Sequence, residues 1–383
     1  MNERFLYRVG GSLAWNDPTY VKRQVDSELR SAIAAGQFAY VLGPRQVGKS
    51  SLRVHTRHRL VQQGYQCITL YANQMSDRLQ PDPSADPLNG QWATRLMTTI
   101  WDGLHRSDDK RADKDRFFQW LKSSTVQLPS ARLDYFVQNF LTAPLQRGPL
   151  VIFIDEIEAL LALPFGAAFF RWIASCYERK GQPQQENEIY QKLNFVILGS
   201  AIASEMPQYD ALFASGCNVS LSPFQHMEIY TLQQGFEEKI DNPTAVLKAV
   251  FRWTHGQPFL TQKLCQILTL SLNGFVQPSF SPLRLSIRTI NHWVDETVRS
   301  QIIKNWPTQD EPVHLRAISD RIARSPNKAA LVSLYENVLN SETGLPFKGS
   351  YTEAELLLSG LVIAEDNQLK VANDIYRQVF VLK

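Results

Sequence analysis

Residues 43–50 have the types and spacing of a phosphate-binding loop. They read GPRQVGKS and fit the pattern GxxxxGK followed by Ser or Thr. Glycines permit a tight turn whose backbone N–H groups surround phosphates, the lysine reaches the β and γ oxygens, and the serine hydroxyl ligates Mg²⁺. The sequence therefore predicts a nucleotide site, with Lys49 also assigned to catalysis and Ser50 to Mg²⁺, made of Gly43, Pro44, Arg45, Gln46, Val47, Gly48, Lys49, Ser50 and Ser51.

The residues on either side of this loop predict the strand and the helix that must hold it. The apolar run FAYVL precedes it, and residues 50–63 follow with a helical pattern that Gly64 ends. A strand-to-helix turn that merely contains glycine is the alternative interpretation. The combination of strand, loop and helix favours phosphate binding.

Two carboxylates follow a second apolar run, LVIFI, at Asp155 and Glu156. A carboxylate at the carboxyl end of a strand beside the loop can hold Mg²⁺ through water, and we assign this role to Asp155. Glu156 is placed to polarise an attacking water as general base. The alternative is a pair of acids that stabilises a helix N-terminus. Glu158 is interpreted as a residue of the first helical turn.

A third run, FVILGS, ends in Ser200. In a sheet that positions a γ-phosphate between adjacent strands, this hydroxyl would contact the phosphate or the attacking water. A simple cap of the strand end explains the residue equally well.

Short apolar runs alternate with helical patterns through the first 224 residues, which predicts an α/β fold with a parallel five-stranded sheet. The predicted strands are Phe38–Leu42, Cys67–Ala72, Leu150–Ile154, Phe195–Leu198 and Val219–Leu221. Basic residues at Arg53, Arg57 and Arg59 are interpreted as an exposed, solvated helix face, with a DNA-facing helix as the alternative. The mixed-charge run His105–Arg116 is interpreted in the same way.

After Phe224 the strand pattern stops, and helical patterns continue to about Trp306. Residues 309–383 contain further helices and then two strand-like runs, Gly360–Ala364 and Gln368–Val371. Helices followed by a hairpin predict a winged helix. We therefore expect three domains: a P-loop NTPase core at 1–224, a helical lid at 225–308 and the winged helix at 309–383.

Composition excludes several classes of protein. The chain has 383 residues, of which 44% are hydrophobic and 20% charged, and its net charge is +3. These values exclude a disordered or collagen-like chain. Its four cysteines form no CxxC pair, which fits a reducing cytoplasm. The apolar run Ala159–Phe170 is shorter than the roughly 18 residues that span a bilayer, so we expect a cytoplasmic protein with no membrane contact.

The motifs together resemble the STAND class of AAA+-related NTPases. More closely, they resemble the bacterial AAA-like ATPase domains common in cyanobacteria. The resemblance is carried by GPRQVGKSS, VIFIDE, ILGS and the tetrapeptide His255–Pro258, with further matches at YRVGGSL near the N-terminus and at ELLLSGLV and NDIYRQVF near the C-terminus. It extends over nearly the whole chain.

The resemblance implies a nucleotide switch that binds ATP and ADP with Mg²⁺ and hydrolyses ATP slowly. In the family, the proline of the GxP element packs on the adenine, and this role falls to Pro258. A hydrophobic pair before an N-terminal arginine contacts the other adenine face, which corresponds to Tyr20 and Val21. A plain helix-starting turn is the alternative for residues 256–258.

Two family features are not matched. Related receptors often carry a histidine near the end of the winged helix that touches the ADP β-phosphate, whereas here the histidine after residue 308 is His314, at the start of that segment. The position of His314 therefore does not match that of the histidine that touches the ADP β-phosphate in those receptors. No arginine finger is evident, and Arg179 is interpreted as a salt-bridge residue in preference to that role.

Two function classes follow from these motifs. The leading hypothesis is a switch that couples nucleotide state to homo-oligomer assembly in ATP, or to a separate effector or sensor protein. The alternative is a DNA-binding AAA+ ATPase of the replication-initiator or transposition-regulator kind. Residues 309–383 hold eight Lys and Arg against ten Asp and Glu. A segment of net charge −2 has little electrostatic affinity for the phosphate groups of DNA. An inactive nucleotide-binding scaffold is a third possibility, against which Lys49, Asp155 and Glu156 argue.

Overall fold

The chain divides into two compact units. In the computed structural model, the described residues are 5–76, 91–105, 111–124, 128–161, 163–182, 184, 187–202, 210–272 and 282–381. The first unit, called here the sheet unit, comprises 25–42 and 55–220. The second, the helical unit, comprises 1–24, 43–54 and 221–383 and therefore includes the phosphate-binding loop. The predicted division into three domains stays a prediction.

The sheet unit contains the predicted parallel five-stranded sheet, in the order β2-β3-β4-β1-β5, and the α/β fold class is confirmed. Its two central apolar strands, β3 and β4, are buried along their whole length, as parallel strands covered on both faces must be. The strands are β1 Ala39–Leu42, β2 Gln66–Tyr71, β3 Leu150–Asp155, β4 Leu193–Gly199 and β5 Cys217–Asn218.

Strand register brings the polar residues of the sequence to one edge. Leu42 at the end of β1 is opposite Gly199 at the end of β4. Asp155 at the end of β3 is opposite Tyr71 of β2. Because β4 lies between β1 and β3, Ser200 follows the strand that separates the loop-bearing strand from the carboxylate-bearing one.

Helices cover the sheet unit, and apolar residues from most of them form one core with the strands. Their bounds are α1 Val25–Ala34, α2 Lys49–Gln62, α3 Ala72–Ser76, α4 Gln91–Leu104, α5 Arg111–Ser123, α6 Pro129–Phe140, α7 Thr142–Arg147, α8 Glu158–Leu161, α9 Gly166–Lys180, α10 Glu188–Gln191 and α11 Asp210–Ser215. Helix α2 begins in the loop-bearing segment of the helical unit.

Some local predictions need correction. The fifth strand pairs at Cys217–Asn218 and not at Val219–Leu221, although the Val219 N–H still donates to the Tyr40 carbonyl at 2.9 Å. Arg53 is buried, because it lies on the inner face of α2, whereas Arg57 and Arg59 are exposed as predicted.

The charged run His105–Arg116 is described only in part. Residues 106–110 lie outside the described residues, and of 111 and 112 the backbone alone is described. Residues 113–116 are all exposed, as the prediction of a solvated helix face requires.

The helical unit is built from short helices around its own apolar core. The elements are a 3-10 helix at Glu228–Gly235, α12 Pro243–Thr254, α13 Pro258–Leu272, α14 Ile287–Val298, a π turn at Arg299–Ile303, α15 Trp306–Gln309, α16 Leu315–Arg324, α17 Lys328–Asn340, β6 Leu345–Pro346, α18 Tyr351–Ser359, β7 Val362–Glu365, β8 Gln368–Val371 and α19 Asp374–Val379. Residues from α14, α16, α17 and α19 share one hydrophobic cluster.

The predicted C-terminal hairpin is present as β7 and β8. Asp366 and Asn367 form its two-residue turn with φ of 50° and 60°, the positive values that two-residue hairpins need. A third strand, β6, pairs with β8 and was not predicted. In the described part of the chain, no helix combines the length and apolarity needed to cross a membrane.

Candidate nucleotide-binding site

The phosphate-binding loop adopts a left-handed backbone at two positions, Gln46 with φ 60° and Gly48 with φ 98°. Lys49 begins α2 and folds back over the loop, donating to the carbonyls of Gly43 at 2.8 Å and Pro44 at 2.5 Å. The ammonium therefore lies on the loop itself, where a cation aimed at phosphate oxygens is needed.

Arg23 is hydrogen-bonded to the loop. Its guanidinium donates to the Val47 carbonyl at 3.1 Å and the Ser222 carbonyl at 3.3 Å, and it lies over the Phe224 ring at 5.2 Å. A Cβ built on Gly48 would lie 2.8 Å from Arg23 Nη2. Glycine at this position thus allows both the positive φ and the close approach of the arginine.

A pocket in the helical unit joins the loop to two distant parts of the sequence. It is bounded by the N-terminal segment, by residues of the loop and by the start of α13. Its lining residues are Arg8, Gly10, Gly11, Leu13, Tyr20, Val21, Arg23, Gln46, Gly48, Ser51, Phe224, Pro258, Phe259 and Gln262.

Hydrogen bonds fasten the N-terminal segment to the rest of this pocket. The Leu13 N–H donates to Ser51 Oγ of the loop at 3.0 Å. The Asp17 carboxylate accepts from the N–H and the hydroxyl of Thr19 at 2.9 and 2.7 Å, and Arg8 pairs with its other oxygen at 2.7 Å. The backbone that leads into Tyr20 and Val21 is therefore fixed by a buried carboxylate.

Pro258 of the GxP element lines the pocket, and each residue of the element has a structural role. Gly256 has φ 75°, and a Cβ there would lie 1.9 Å from the Phe224 carbonyl oxygen, so only glycine fits. Gln257 donates to the Gln46 carbonyl of the loop at 3.3 Å and accepts from the Leu260 N–H at 2.6 Å. Pro258 is the first residue of α13, where its missing N–H costs nothing.

The C-terminal region also contacts the loop. Gln46 Nε2 donates to the Val313 carbonyl at 3.0 Å, and Gln46 Oε1 is hydrogen-bonded to Nδ1 of His314. Because the Val313 carbonyl can only accept, the amide orientation is fixed and His314 Nδ1 must carry the proton. His314 Nε2 then accepts from the Tyr376 hydroxyl at 2.7 Å.

Burial keeps His314 neutral. Desolvation lowers the pKa of His314 to about 3, and Lys263 opposes its protonation while Asp310 favours it. Asp310 Oδ2 accepts from the His314 N–H at 2.8 Å, and Asp310 Oδ1 lies 3.9 Å from Lys263 Nζ of α13. The His314 ring stacks on Phe259 with centroids 4.4 Å apart. The loop, α13 and the C-terminal region therefore share one buried polar cluster.

In the sheet unit, the two carboxylates occupy the carboxyl end of β3. Asp155 is buried, and its Oδ1 accepts from the Glu156 N–H at 3.0 Å. Glu156 is exposed and has φ 61°, an unusual backbone for glutamate that commonly marks functional sites. Glu158 starts α8, as predicted for a first-turn residue, and its Oε2 accepts from the Ser200 N–H at 2.9 Å.

Arg179 belongs to a different cluster of the sheet unit. It pairs with Asp134 at 2.7 Å and donates to the Tyr190 hydroxyl at 2.5 Å. Its interpretation as a salt-bridge residue is confirmed.

The structure brings Tyr20, Val21 and Pro258 into one pocket with the loop residues Gln46, Gly48 and Ser51. The remaining loop residues, Gly43, Pro44, Arg45, Val47, Lys49 and Ser50, belong to the same segment of the helical unit. Asp155, Glu156 and Ser200 belong to the sheet unit, at the ends of β3 and β4. The nucleotide, metal and catalytic roles of all these residues stay predictions.

Sequence reasoning missed Gln262. It gave Arg23 and Gln257 no role beyond their places in the family motifs, and it gave His314 no contact with the loop. Each meets its partner across more than twenty positions of sequence, so no local pattern marks it. The available signal was the match YRVGGSL, which pointed to the N-terminal segment without assigning roles to Gly10, Gly11 and Leu13.

Comparison with known proteins agrees with this architecture. Residues 119–277 match the family model for the AAA-like domain. The fold is that of the P-loop ATPases. The Walker-type ATPase paby2304 of Pyrococcus abyssi shares it with a TM-score of 0.51 at 16% identity, over 97% of this chain and 99% of that one. The RuvB Holliday junction branch migration motor of Thermotoga maritima aligns with a TM-score of 0.44 at 13% identity, over 93% and 94%.

A relative in sequence covers almost the whole of this chain. The uncharacterized WD repeat-containing protein slr0143 of Synechocystis sp. is 32% identical over 378 residues, which is 98% of this chain. The chain spans 30% of that relative's length.

Proposed function

We propose that the chain is an ATP-binding, slowly hydrolysing switch of the STAND type. The observation that carries the proposal is the pair of hydrogen bonds between Gln46 of the phosphate-binding loop and residues 313–314 of the C-terminal region. If nucleotide binding changes the loop, it also changes the stability of the contact with the C-terminal region. Because coupling between sites is reciprocal, a change in that contact alters nucleotide affinity.

Phosphates would bind to the loop N–H groups and to Lys49, with the start of α2 contributing its positive dipole end. The Ser50 hydroxyl and the Asp155 carboxylate are hard oxygen donors of the kind that Mg²⁺ takes. Mg²⁺ held by these donors as predicted from the sequence would neutralise phosphate charge. Glu156 is exposed at the strand end and would accept the proton of the attacking water, while Ser200 would contact the phosphate or that water.

The base would lie between the N-terminal segment and α13. Val21 and Phe259 are buried apolar residues of the pocket lining, and Pro258 adds a rigid flat surface. Tyr20 completes the opposite face. These residues line the same pocket as the loop residues, which is the arrangement that an adenine nucleotide needs.

In this proposal, ADP favours a closed form in which the C-terminal region holds the loop. Its order of elements, α16-α17-β6-α18-β7-β8, supports a winged helix. ATP favours an open form that assembles with further copies or binds a separate partner, provided that ATP binds the open form better. The relative slr0143 is a WD repeat-containing protein, which makes a repeat domain our first choice of partner. The cytoplasmic location stays a prediction.

The test is the state of the full chain in each nucleotide. Glu156→Gln holds ATP without turnover, so its mass by light scattering and its proteolytic cleavage between residues 309 and 383 are compared in ADP and in ATP. We expect a larger mass, or faster cleavage of the C-terminal region, in ATP. Identical mass and identical cleavage in both nucleotides would reject the switch.

The DNA-binding alternative is addressed in the same samples. Residues 309–383 carry net charge −2, so we expect no salt-dependent binding of duplex DNA. Nanomolar binding of duplex DNA by the full chain would favour the hypothesis of a replication-initiator or transposition-regulator ATPase.

A further inference from the structure

Gln262 has one buried amide oxygen without a hydrogen-bond partner. The side chain is 5% exposed, and it lines the pocket together with Tyr20, Val21 and Pro258. Its Nε2 donates to the Thr19 carbonyl at 2.8 Å, whereas its Oε1 has no partner. A buried acceptor left unpaired costs stability, so such an atom calls for an explanation.

The orientation of this amide is determined by its surroundings. The Thr19 carbonyl can only accept, so the NH₂ group must face it and the oxygen must point the other way. Thr19 is itself held by the Asp17 carboxylate through its N–H and hydroxyl. Gln262 therefore brings a buried acceptor of fixed orientation to the pocket lining, and its missing partner is an N–H or O–H donor.

We propose that Gln262 Oε1 accepts a hydrogen bond from the exocyclic amine of adenine and thereby selects adenine over 6-oxo purine nucleotides. The inference rests on the proposed function, because it assumes that the pocket takes a nucleotide base. Adenine presents N–H at position six. Guanine and hypoxanthine present a carbonyl oxygen there, which would face the amide oxygen and leave both acceptors unpaired. Sites built to hydrogen-bond one substrate group reject analogues that lack it.

A neighbouring glutamine offers a matched control. Gln266 lies one turn further along α13, and its Nε2 donates to the Tyr7 carbonyl at 2.9 Å, which is the same kind of tie to the N-terminal segment. Gln266 is not part of the pocket lining. Gln266→Met therefore removes an equivalent tie without touching the base.

The experiment measures the dissociation constants of ADP and inosine diphosphate for the full chain by calorimetry. In the unmodified protein we expect ADP to bind roughly ten- to a hundredfold more tightly. Gln262→Met should bring the two constants within about threefold of each other, mainly by weakening ADP, whereas Gln266→Met should keep the preference. Equal affinities in the unmodified protein, or an unchanged preference in Gln262→Met, would overturn the inference.

A third ligand makes the test independent of folding of the variants. The diphosphate of purine riboside carries hydrogen at position six, so the unmodified protein should bind it more weakly than ADP. Equal binding of the two would overturn the role of Gln262 while leaving nucleotide binding intact. Failure of the unmodified protein to bind ADP, inosine diphosphate and pyrophosphate alike would instead reject the proposed function.

Discussion

The edge of the sheet and the pocket of the helical unit position their polar residues in different ways. At the sheet edge, Asp155 ends β3 and Ser200 follows β4. Both strands are buried along their whole length, so strand register decides where these two residues lie. In the helical unit, Gln262 of the pocket lining and the nearby Gln257 bind partners 243 and 211 positions away through their side-chain amides. The first arrangement depends on packing, and the second on a few directed hydrogen bonds.

Under the proposed switch, this difference predicts separate effects for substitutions in the two regions. A packed sheet gives the carboxylates a rigid frame, since interiors resist deformation. Single hydrogen bonds contribute only about 1 kcal/mol each, so those that hold the pocket together can be exchanged when its ligand changes. We therefore expect substitutions at the sheet edge to alter turnover, and substitutions around the pocket to alter binding and release.

The largest effect is expected from Lys49→Ala. This change deletes the cation that lies on the loop carbonyls and should remove most affinity for ATP and ADP, and hydrolysis with it. Calorimetric titration of the full chain measures the affinity. Unchanged affinity for ATP would show that the loop of the helical unit is not the phosphate site.

At the sheet edge, Glu156→Gln should separate turnover from binding. The amide keeps the shape of the side chain but cannot accept a proton, so hydrolysis should fall by roughly 10²- to 10⁴-fold while the affinity for Mg-ATP stays close to that of the unmodified protein. Phosphate release and calorimetry measure the two quantities. Parental hydrolysis in both Glu156→Gln and Asp155→Asn would remove the sheet edge from the mechanism.

A smaller effect is expected from pH, through His314. Its folded pKa of about 3 lies below its unfolded value, so the folded state binds fewer protons and its stability is complete above pH 6.5 and falls as the pH drops towards 3. Asp310, Lys263 and Tyr376 are the ionisable groups that face the ring.

Between pH 6.5 and pH 5 the loss should be about 2 kcal/mol at most. Urea unfolding at the two pH values measures it, and His314→Asn provides the comparison because asparagine does not titrate. An equal loss in both proteins would mean that His314 does not drive the dependence.

The sheet unit could be predicted from the sequence more completely than the pocket could. The loop, the helix that Gly64 ends and the strands β1 to β4 depend on neighbours in sequence, so composition and spacing located them to within two residues. The short strand β5 was displaced, because its two paired residues, Cys217 and Asn218, precede the apolar run that suggested it. Strand β6 has two residues and no apolar alternation, so the sequence held no sign of it.

The pocket was predicted only where a motif marked it. Pro258 and the loop carried recognisable patterns, whereas the contact between Gln46 and His314 joins residues 268 positions apart. The position of His314 was known from the sequence, but its approach to the loop depends on the folding of α16 and of the segment before it. No local rule supplies that information.

The C-terminal region is better tested by point substitutions than by truncation. Residues of α16, α17 and α19 share a hydrophobic cluster with α12 to α14, so removal of residues 310–383 would expose that core. His314→Leu removes the hydrogen bond to Gln46 and keeps an apolar group against Phe259. His314→Asn retains a donor. Tyr335→Phe serves as control, because it removes a buried hydrogen bond to the Tyr376 carbonyl without touching the loop.

The release rate of a fluorescent ADP analogue from these full-length proteins tests the central claim, that the C-terminal region holds the phosphate-binding loop in the ADP state. His314→Leu should release the analogue about five- to tenfold faster than the unmodified protein, as the loss of about one hydrogen bond implies. His314→Asn and Tyr335→Phe should stay within about twofold of the unmodified protein. Equal release rates from His314→Leu and the unmodified protein would contradict the claim.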